Sequence, residues 1–395
     1  MATTPNDSLS LSDIKSLGFG NHRISEASSY DGVNQNKSPI NTGDYRSTSR
    51  ALTDTVYGIN HRQTPLAIPM NKDHYGFTFF TRPQLNMQHD NLTAIRRFVR
   101  LLNNNPLSIE RVIRCYLDPR LQVGLYHPNI EPIPAIECPL VDKEQVFIPL
   151  LTNTLLNISG WPDISSPIWT AKDGPYKESY SLVDGNITNY QSYNVTANFR
   201  NVKTDPITKL FSYWTEYQSA VFEGVMTPYG DMIFENEIDY NTRIYRITLD
   251  PSKQIVRNIA CCGAAFPISD PIGAIFDYSS EKPYNDANAE ISISFQCMGF
   301  WYNDDIIIES FNKAVRYFHS GMYPDKKDSY MKMIPYAMLP LFNNRGYPYI
   351  DPKSMQLQWY VTKQVYEAKL AAYKDFDKML DGALGLAYTL EEHGV

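Results

Sequence analysis

Glu235, Glu237 and Asp239 lie within the short segment FENEIDY. Two of them on one cleft could serve as the acid and the nucleophile or base of glycoside hydrolysis, which needs a carboxyl pair flanking the scissile bond. Acidic clusters of this kind more often form a solvated loop or sheet edge, so catalysis is the weaker reading. Cys261 and Cys262 adjoin in the apolar run IACCGAAF. Neighbouring residues of a strand face opposite ways, so the pair cannot easily hold one ion, and both read as buried, inert thiols. The seven histidines (His22, His61, His74, His89, His127, His319, His393) are scattered and form neither HxH nor HExxH. A nucleophile elbow GxSxG, a phosphate loop GxxxxGK[ST] and a dinucleotide fingerprint GxGxxG are all missing from the sequence. The expectation is therefore no catalytic residue, no cofactor and no metal, and a structural assembly protein rather than an enzyme; a glycan hydrolase using Glu235 and Asp239 is the least favoured alternative.

Bulk properties agree with that expectation. A chain of 395 residues has room for two or three packed domains. Its net charge of −7 argues against a duplex-gripping surface. The basic cluster Arg96, Arg97, Arg100, Arg111 and Arg114 reads as a solvated helix face. Its 28 Tyr and 18 Phe suit either a β-rich fold or half-wet subunit contacts. Five spread cysteines without a CxxC point to reduced thiols. The first residues lack the apolar core of a signal peptide, and no run of about 18 apolar residues could span a membrane.

Residues 1–65 are rich in Ser, Asn, Thr and Asp, and read as a flexible or extended arm that could order against neighbouring subunits. A mixed α/β domain is expected over 66–180. It opens on the strand HYGFTFFTRP and continues with a helix placing Leu92, Ile95, Phe98, Val99 and Leu102 on one face. A second helix starts at a Ser108 cap and stops before Pro119, the run 129–139 is a Pro-studded connector, and a short helix lies near Pro149. Over 181–325 the pattern is clearest. Tyr193, Val195, Ala197 and Phe199 alternate as in a half-buried strand. A helix follows, with Thr204 or Asp205 as cap, Pro206 at its first position, and Ile207, Leu210, Phe211 and Trp214 on one face. The same grammar returns with Ile291, Ile293, Phe295 and Cys297, then a helix capped by Asp304 or Asp305 that carries Ile308, Phe311, Val315 and Phe318. Between them, two strands join through the turn Asp250-Pro251-Ser252-Lys253. These read as two related sheet units, each with a helix on one side. Residues 326–395 read as a loop over 335–353 followed by helices bearing Trp359, Lys363, Tyr366, Leu370 and Tyr373, with breaks at Gly382 and Gly385.

The segments YNVTANFRNVKTDPITKLFSYWTEY and ISISFQCMGFWYNDDIIIESFNKAV resemble the tube-forming domain of contractile phage tails and related injection machines. That resemblance implies an α+β fold, with an antiparallel β-sandwich or barrel of tail-tube type and flanking helices. It implies a virion component of the tail, tube-like or from the baseplate or neck. Its partners would be a homo-oligomeric ring and other tail proteins, close to genomic DNA in the channel, with no membrane. A decoration or scaffold module is the alternative from the binding class.

Overall fold

The computed structural model of the protein describes residues 75–373, apart from 124, 128–129, 134, 188–189, 277–279 and 281–289. The expected arm over 1–65 and the breaks at Gly382 and Gly385 lie outside the described residues. In chain order the strands are β1 (Tyr75–Phe80), β2 (Leu125–His127), β3 (Ile130–Ile133), β4 (Leu155–Ser159), β5 (Ile168–Thr170), β6 (Ser181–Val183) and β7 (Ser192–Arg200). They continue as β8 (Thr242–Leu249), β9 (Val256–Pro267), β10 (Glu290–Tyr302), β11 (Met331–Ile334), β12 (Tyr347–Ile350) and β13 (Leu357–Thr362). The helices are α1 (His89–Thr93), α2 (Ile109–Leu117), α3 (Pro149–Thr154), α4 (Pro206–Phe222), α5 (Gly230–Glu235), α6 (Asp305–Phe318) and α7 (Pro324–Tyr330). Residues 363–373 are also helical. The described residues fall into two compact units: a small one with Thr248–Arg257 and Asp351–Leu357, and a large one with Phe77–Ile247, Asn258–Ile350 and the residues from Gln358 onward.

The large unit is organised by a six-stranded sheet in the order β1-β8-β9-β10-β7-β4. The alternation read from the sequence is what buries one face. Val195, Ala197 and Phe199 of β7 are fully buried, and so are Ile293, Phe295 and Cys297 of β10. These two strands are direct antiparallel partners, with Ala197 opposite Ile293 and Val195 opposite Phe295. The two strand–helix units are therefore parts of one sheet and not two. Strands β1 and β4 join the same sheet, so the expected boundary at 180 falls inside it.

The sheet is curled nearly shut. On the outer side of β1, Ile148 N–H donates to Phe80 O and Arg82 N–H to Val146 O, both at 2.9 Å. From there the chain passes through α3 alone to reach β4 on the other edge. Six helical residues span only about 9 Å, which brings the two edges close together. Ring positions report the same curvature: Phe80 lies 5.8 Å from Phe199 of β7 and 5.8 Å from Phe295 of β10, neither of which neighbours β1 in the sheet. Pro149, a poor residue inside a helix, stands at the start of α3, where its missing N–H is harmless. At the end of β4, Gly160 has φ +100°, and a Cβ there would overlap the Asn194 carbonyl of β7.

Helices cover both faces. On the Phe80 side, α4 inserts Phe211 at 5.7 Å from both Phe199 and Phe295. Ile207, Leu210 and Trp214 are fully buried with it, as their spacing predicts. Phe79 is adjacent to Phe80 and so points to the opposite face. There it meets Phe311 of α6 at 5.3 Å, beside Phe147 and Tyr245. Each such ring taken from water contributes about 1.5–3 kcal/mol. The starting signals differ in chemistry. Asp304 caps α6 by accepting from Ile306 N–H at 2.9 Å, and Ser108 caps α2 through Arg111 N–H. Asp205 stands at the α4 cap position, but with φ +50°, and its carboxylate accepts from Asn201 instead.

Four expectations are corrected. The helix expected over 91–102 is α1 followed by a 3-10 turn at Phe98–Leu102. A period of three buries Phe98 and Leu101 and leaves Val99 exposed. The connector at 129–139 contains β3 of a small β2–β3 hairpin. The loop at 335–353 holds a 3-10 helix, Tyr336–Phe342, and then β12. Trp359 lies on β13 and not on a helix. The order β11-β13-β12 makes a second sheet there, built from the β-forming run LQWYVT.

In the small unit the turn after β8 is tied by Asp250. Lys253 N–H donates to Asp250 O at 2.8 Å. The Asp250 carboxylate accepts from Gln254 N–H (3.1 Å), Ile255 N–H (3.0 Å) and the Ser252 hydroxyl (2.6 Å). Residues 254–256 then pair with 355–357 through Val256 N–H to Met355 O and Leu357 N–H to Gln254 O, both 2.8 Å. Asp250→Ala leaves two backbone donors without an acceptor and is expected to cost about 1–3 kcal/mol in urea unfolding.

Candidate assembly interface

The residues with chemical potential do not converge. Asp239 is buried, and its carboxylate accepts from the Tyr217 hydroxyl at 2.5 Å. Burial pushes its pKa up, against the opposing pull of that hydrogen bond. Glu235 ends α5 and is exposed, as is Glu237. The cluster thus splits into one inward structural acceptor and two solvated carboxylates. Cys261 and Cys262 are both buried on β9, and burial raises the Cys261 thiol to about 12. Among the described residues no group of three or more His, Cys, Asp or Glu is placed to hold a metal ion, and no helix is long and apolar enough to cross a membrane.

What sequence reading missed is a buried polar network. Arg114, expected on a solvated face, is buried and donates from Nε to Met87 O at 3.0 Å. Arg82 is buried too. Its guanidinium donates to the carbonyls of Cys115 (2.5 Å), Gln145 (3.2 Å) and Asp142 (3.3 Å) and to Gln122 Oε1 (2.9 Å). Burial lowers its pKa to about 10. Fully buried Asp118 accepts from Met87 N–H (2.9 Å), Arg120 N–H (3.1 Å) and the Tyr229 hydroxyl (2.6 Å). These groups lash the turn after β1 to the end of α2 and to the loop before α5. Nothing in residue spacing marks an inward arginine, since its partners are mostly backbone carbonyls.

The outward chemistry is apolar. The hairpin β5–β6 pairs Ile168 with Val183, Trp169 with Leu182 and Thr170 with Ser181. Ile168 and Val183 are 68% and 69% exposed, and Trp169 and Leu182 are 47% and 59% exposed. Paired residues alternate between faces along the ladder, so both faces of the hairpin are open. The backbone hydrogen bonds of residues 167–184 among the described residues run within the hairpin, as from Ala171 N–H to Tyr180 O and Asp184 N–H to Pro167 O. Its base is anchored: the Tyr302 hydroxyl donates to Pro162 O at 2.6 Å, and Trp161 lies 6.4 Å from both Tyr193 and Tyr302. A two-stranded hairpin with two uncovered apolar faces is marginal alone and is suited to being covered by another chain.

Comparison with known proteins gives the family. A family model described as "Putative phage tail tube protein" matches residues 29–375. No curated protein matches the chain by sequence. Among solved structures, the tube-terminating cap of the anti-feeding prophage overlaps 40% of this chain and 82% of its own, at 14% identity and a TM-score of 0.24. The sheath–tube complex of the PVC extracellular contractile injection system overlaps 40% and 82%, at 16% identity and a TM-score of 0.23. With overlaps this slight, the assignment rests on the family match, which spans most of the sequence: the chain belongs to the phage tail tube protein family and is a structural protein of the tail.

Proposed function

We propose that this chain is a subunit of a ring that stacks into the tail tube around the DNA channel. In this reading the curled sheet is a barrel of tail-tube type. The hairpin β5–β6 packs against a second copy of the chain, and other tail proteins cap or sheathe the assembly. The observation that carries it is the doubly exposed apolar hairpin on a member of a tube family. A closed ring also removes free sheet edges, which an open β4 would otherwise present. The net charge of −7 fits a channel that passes DNA without gripping phosphate.

The test is sedimentation velocity on the purified chain and on Trp169→Ser with Leu182→Ser. The wild type is expected to run as oligomers. The double variant is expected to shift to monomer, with thermal stability changed by less than about 1 kcal/mol because both side chains are exposed. Unchanged oligomers would remove the hairpin from the interface, and a strictly monomeric wild type would contradict the ring.

A further inference from the structure

Phe222 and Phe234 are 93% and 89% exposed, although phenylalanine is a core residue and exposed apolar patches mark interaction sites. Both lie on one excursion of the chain. Phe222 ends α4, and the chain comes back to α4 at Tyr240, whose carbonyl accepts from Trp214 Nε1 at 3.0 Å. Within it Met226, Tyr229 and Met232 are buried and hold the excursion to the body, while Val225, Ile233 and Ile238 are exposed with the two phenylalanines. The excursion also carries Glu223, Asp231, Glu235 and Glu237, and no Lys or Arg. Asp231 is taken up by Arg120 at 2.8 Å, and the three glutamates are solvated. What covers this knob must be both apolar and basic.

The same chain presents such a surface. Residues 93–105 contain Arg96, Arg97 and Arg100 and no Asp or Glu. All three arginines are exposed, and so is Val99 between Arg97 and Arg100. Arg97 is paired with Glu216 of α4 at 3.0 Å, so the basic face offered outward is that of Arg96 and Arg100. Phe98 fixes this arc by packing 5.7 Å from Tyr213 of α4. A ring needs a heterologous contact, in which two different and complementary patches of each copy meet head to tail. A knob of apolar and acidic residues and an arc of apolar and basic ones supply that pair.

We propose that the Phe222–Phe234 knob of one copy docks on the Arg96–Arg100 arc of a second copy. The inference rests on the ring reading above. The test compares three variants by sedimentation velocity and negative-stain imaging: Arg96→Glu with Arg100→Glu, Glu235→Lys with Glu237→Lys, and all four together. All of these positions are exposed, so circular dichroism should show a folded chain. Like charges set face to face oppose association strongly, and each pairwise reversal is expected to raise the concentration needed for assembly by about a hundredfold. The fourfold variant restores opposite charges and should assemble within about tenfold of the wild type. In the unaltered protein, assembly should weaken between low and high salt, a readout independent of any variant. Tubes that form normally in both pairwise variants, or that ignore salt, would overturn the knob–arc contact and leave the ring reading standing. A wild type that never assembles would overturn both.

Discussion

Trp214→Ala is expected to lower the folding free energy by about 3–5 kcal/mol, the range for removing an aromatic ring from a packed core. That one truncation is a large fraction of an ordinary domain's stability of about 5–15 kcal/mol. Trp214 is fully buried and stacks on Phe211 with centroids 6.0 Å apart and planes 7° from parallel. Phe211 in turn touches Phe199 and Phe295, so the cavity opens at the centre of the concave face of the sheet. The indole N–H also holds Tyr240 O, the point where the exposed excursion returns to α4. Trp214→Phe keeps most of the volume and loses that bond, so it should cost about 1–2 kcal/mol. Urea unfolding of both variants separates the two contributions. A loss below about 1 kcal/mol for the alanine would mean that the ring is not a core anchor.

The second large effect is at Asp118. Asp118→Ala removes the acceptor for two backbone N–H groups and the Tyr229 hydroxyl in a fully buried site, and is expected to cost about 3 kcal/mol or more. Its carboxyl also makes stability depend on pH. Burial raises its pKa to about 6, against the lowering pull of those hydrogen bonds. The folded chain therefore takes up this proton at a higher pH than the unfolded chain, whose value is near 3.8. The resulting stabilisation is fully present below about pH 4 and is lost as pH rises through 6, a span worth about 3 kcal/mol. Protonation is accommodated because the Tyr229 hydroxyl can accept as well as donate. Asp118→Asn has no such titration and must turn an amide N–H₂ toward an N–H donor. Its deficit relative to wild type should therefore widen as pH falls from 7 to 4. A deficit that is flat with pH would show that the carboxyl titrates at its ordinary value.

How much could be read from residues alone follows the physics of each signal. The alternation of Val195, Ala197 and Phe199 and the spacing of Ile207, Leu210, Phe211 and Trp214 are dictated by one buried face, so periodicity found both elements. The caps at Ser108 and Asp304 were legible because short polar side chains before an apolar period have a local cause. Long-range pairing has no such local mark. That β7 and β10 are partners in one sheet, and that β1 continues onto residues 146–148, depends on contacts between distant segments. Val99 and Trp359 were misplaced for a related reason: a 3-10 turn and a strand can each carry residues that also fit a helical count. Arg82 and Asp118 were invisible because their partners are largely backbone groups. The proposed interface was legible only as an unusual abundance of Tyr and Phe. The structure separates the rings that build the core from those left on the hairpin and at Phe222 and Phe234.

A chain that builds the tail tube should form rings and tubes by itself. Negative-stain imaging of the purified, tag-free protein over a rising concentration series tests it most directly. Annular particles with a central channel that stack into short tubes as concentration increases are expected. Particles that stay monomeric at every concentration, including in the presence of the tail proteins of the same particle, would contradict it.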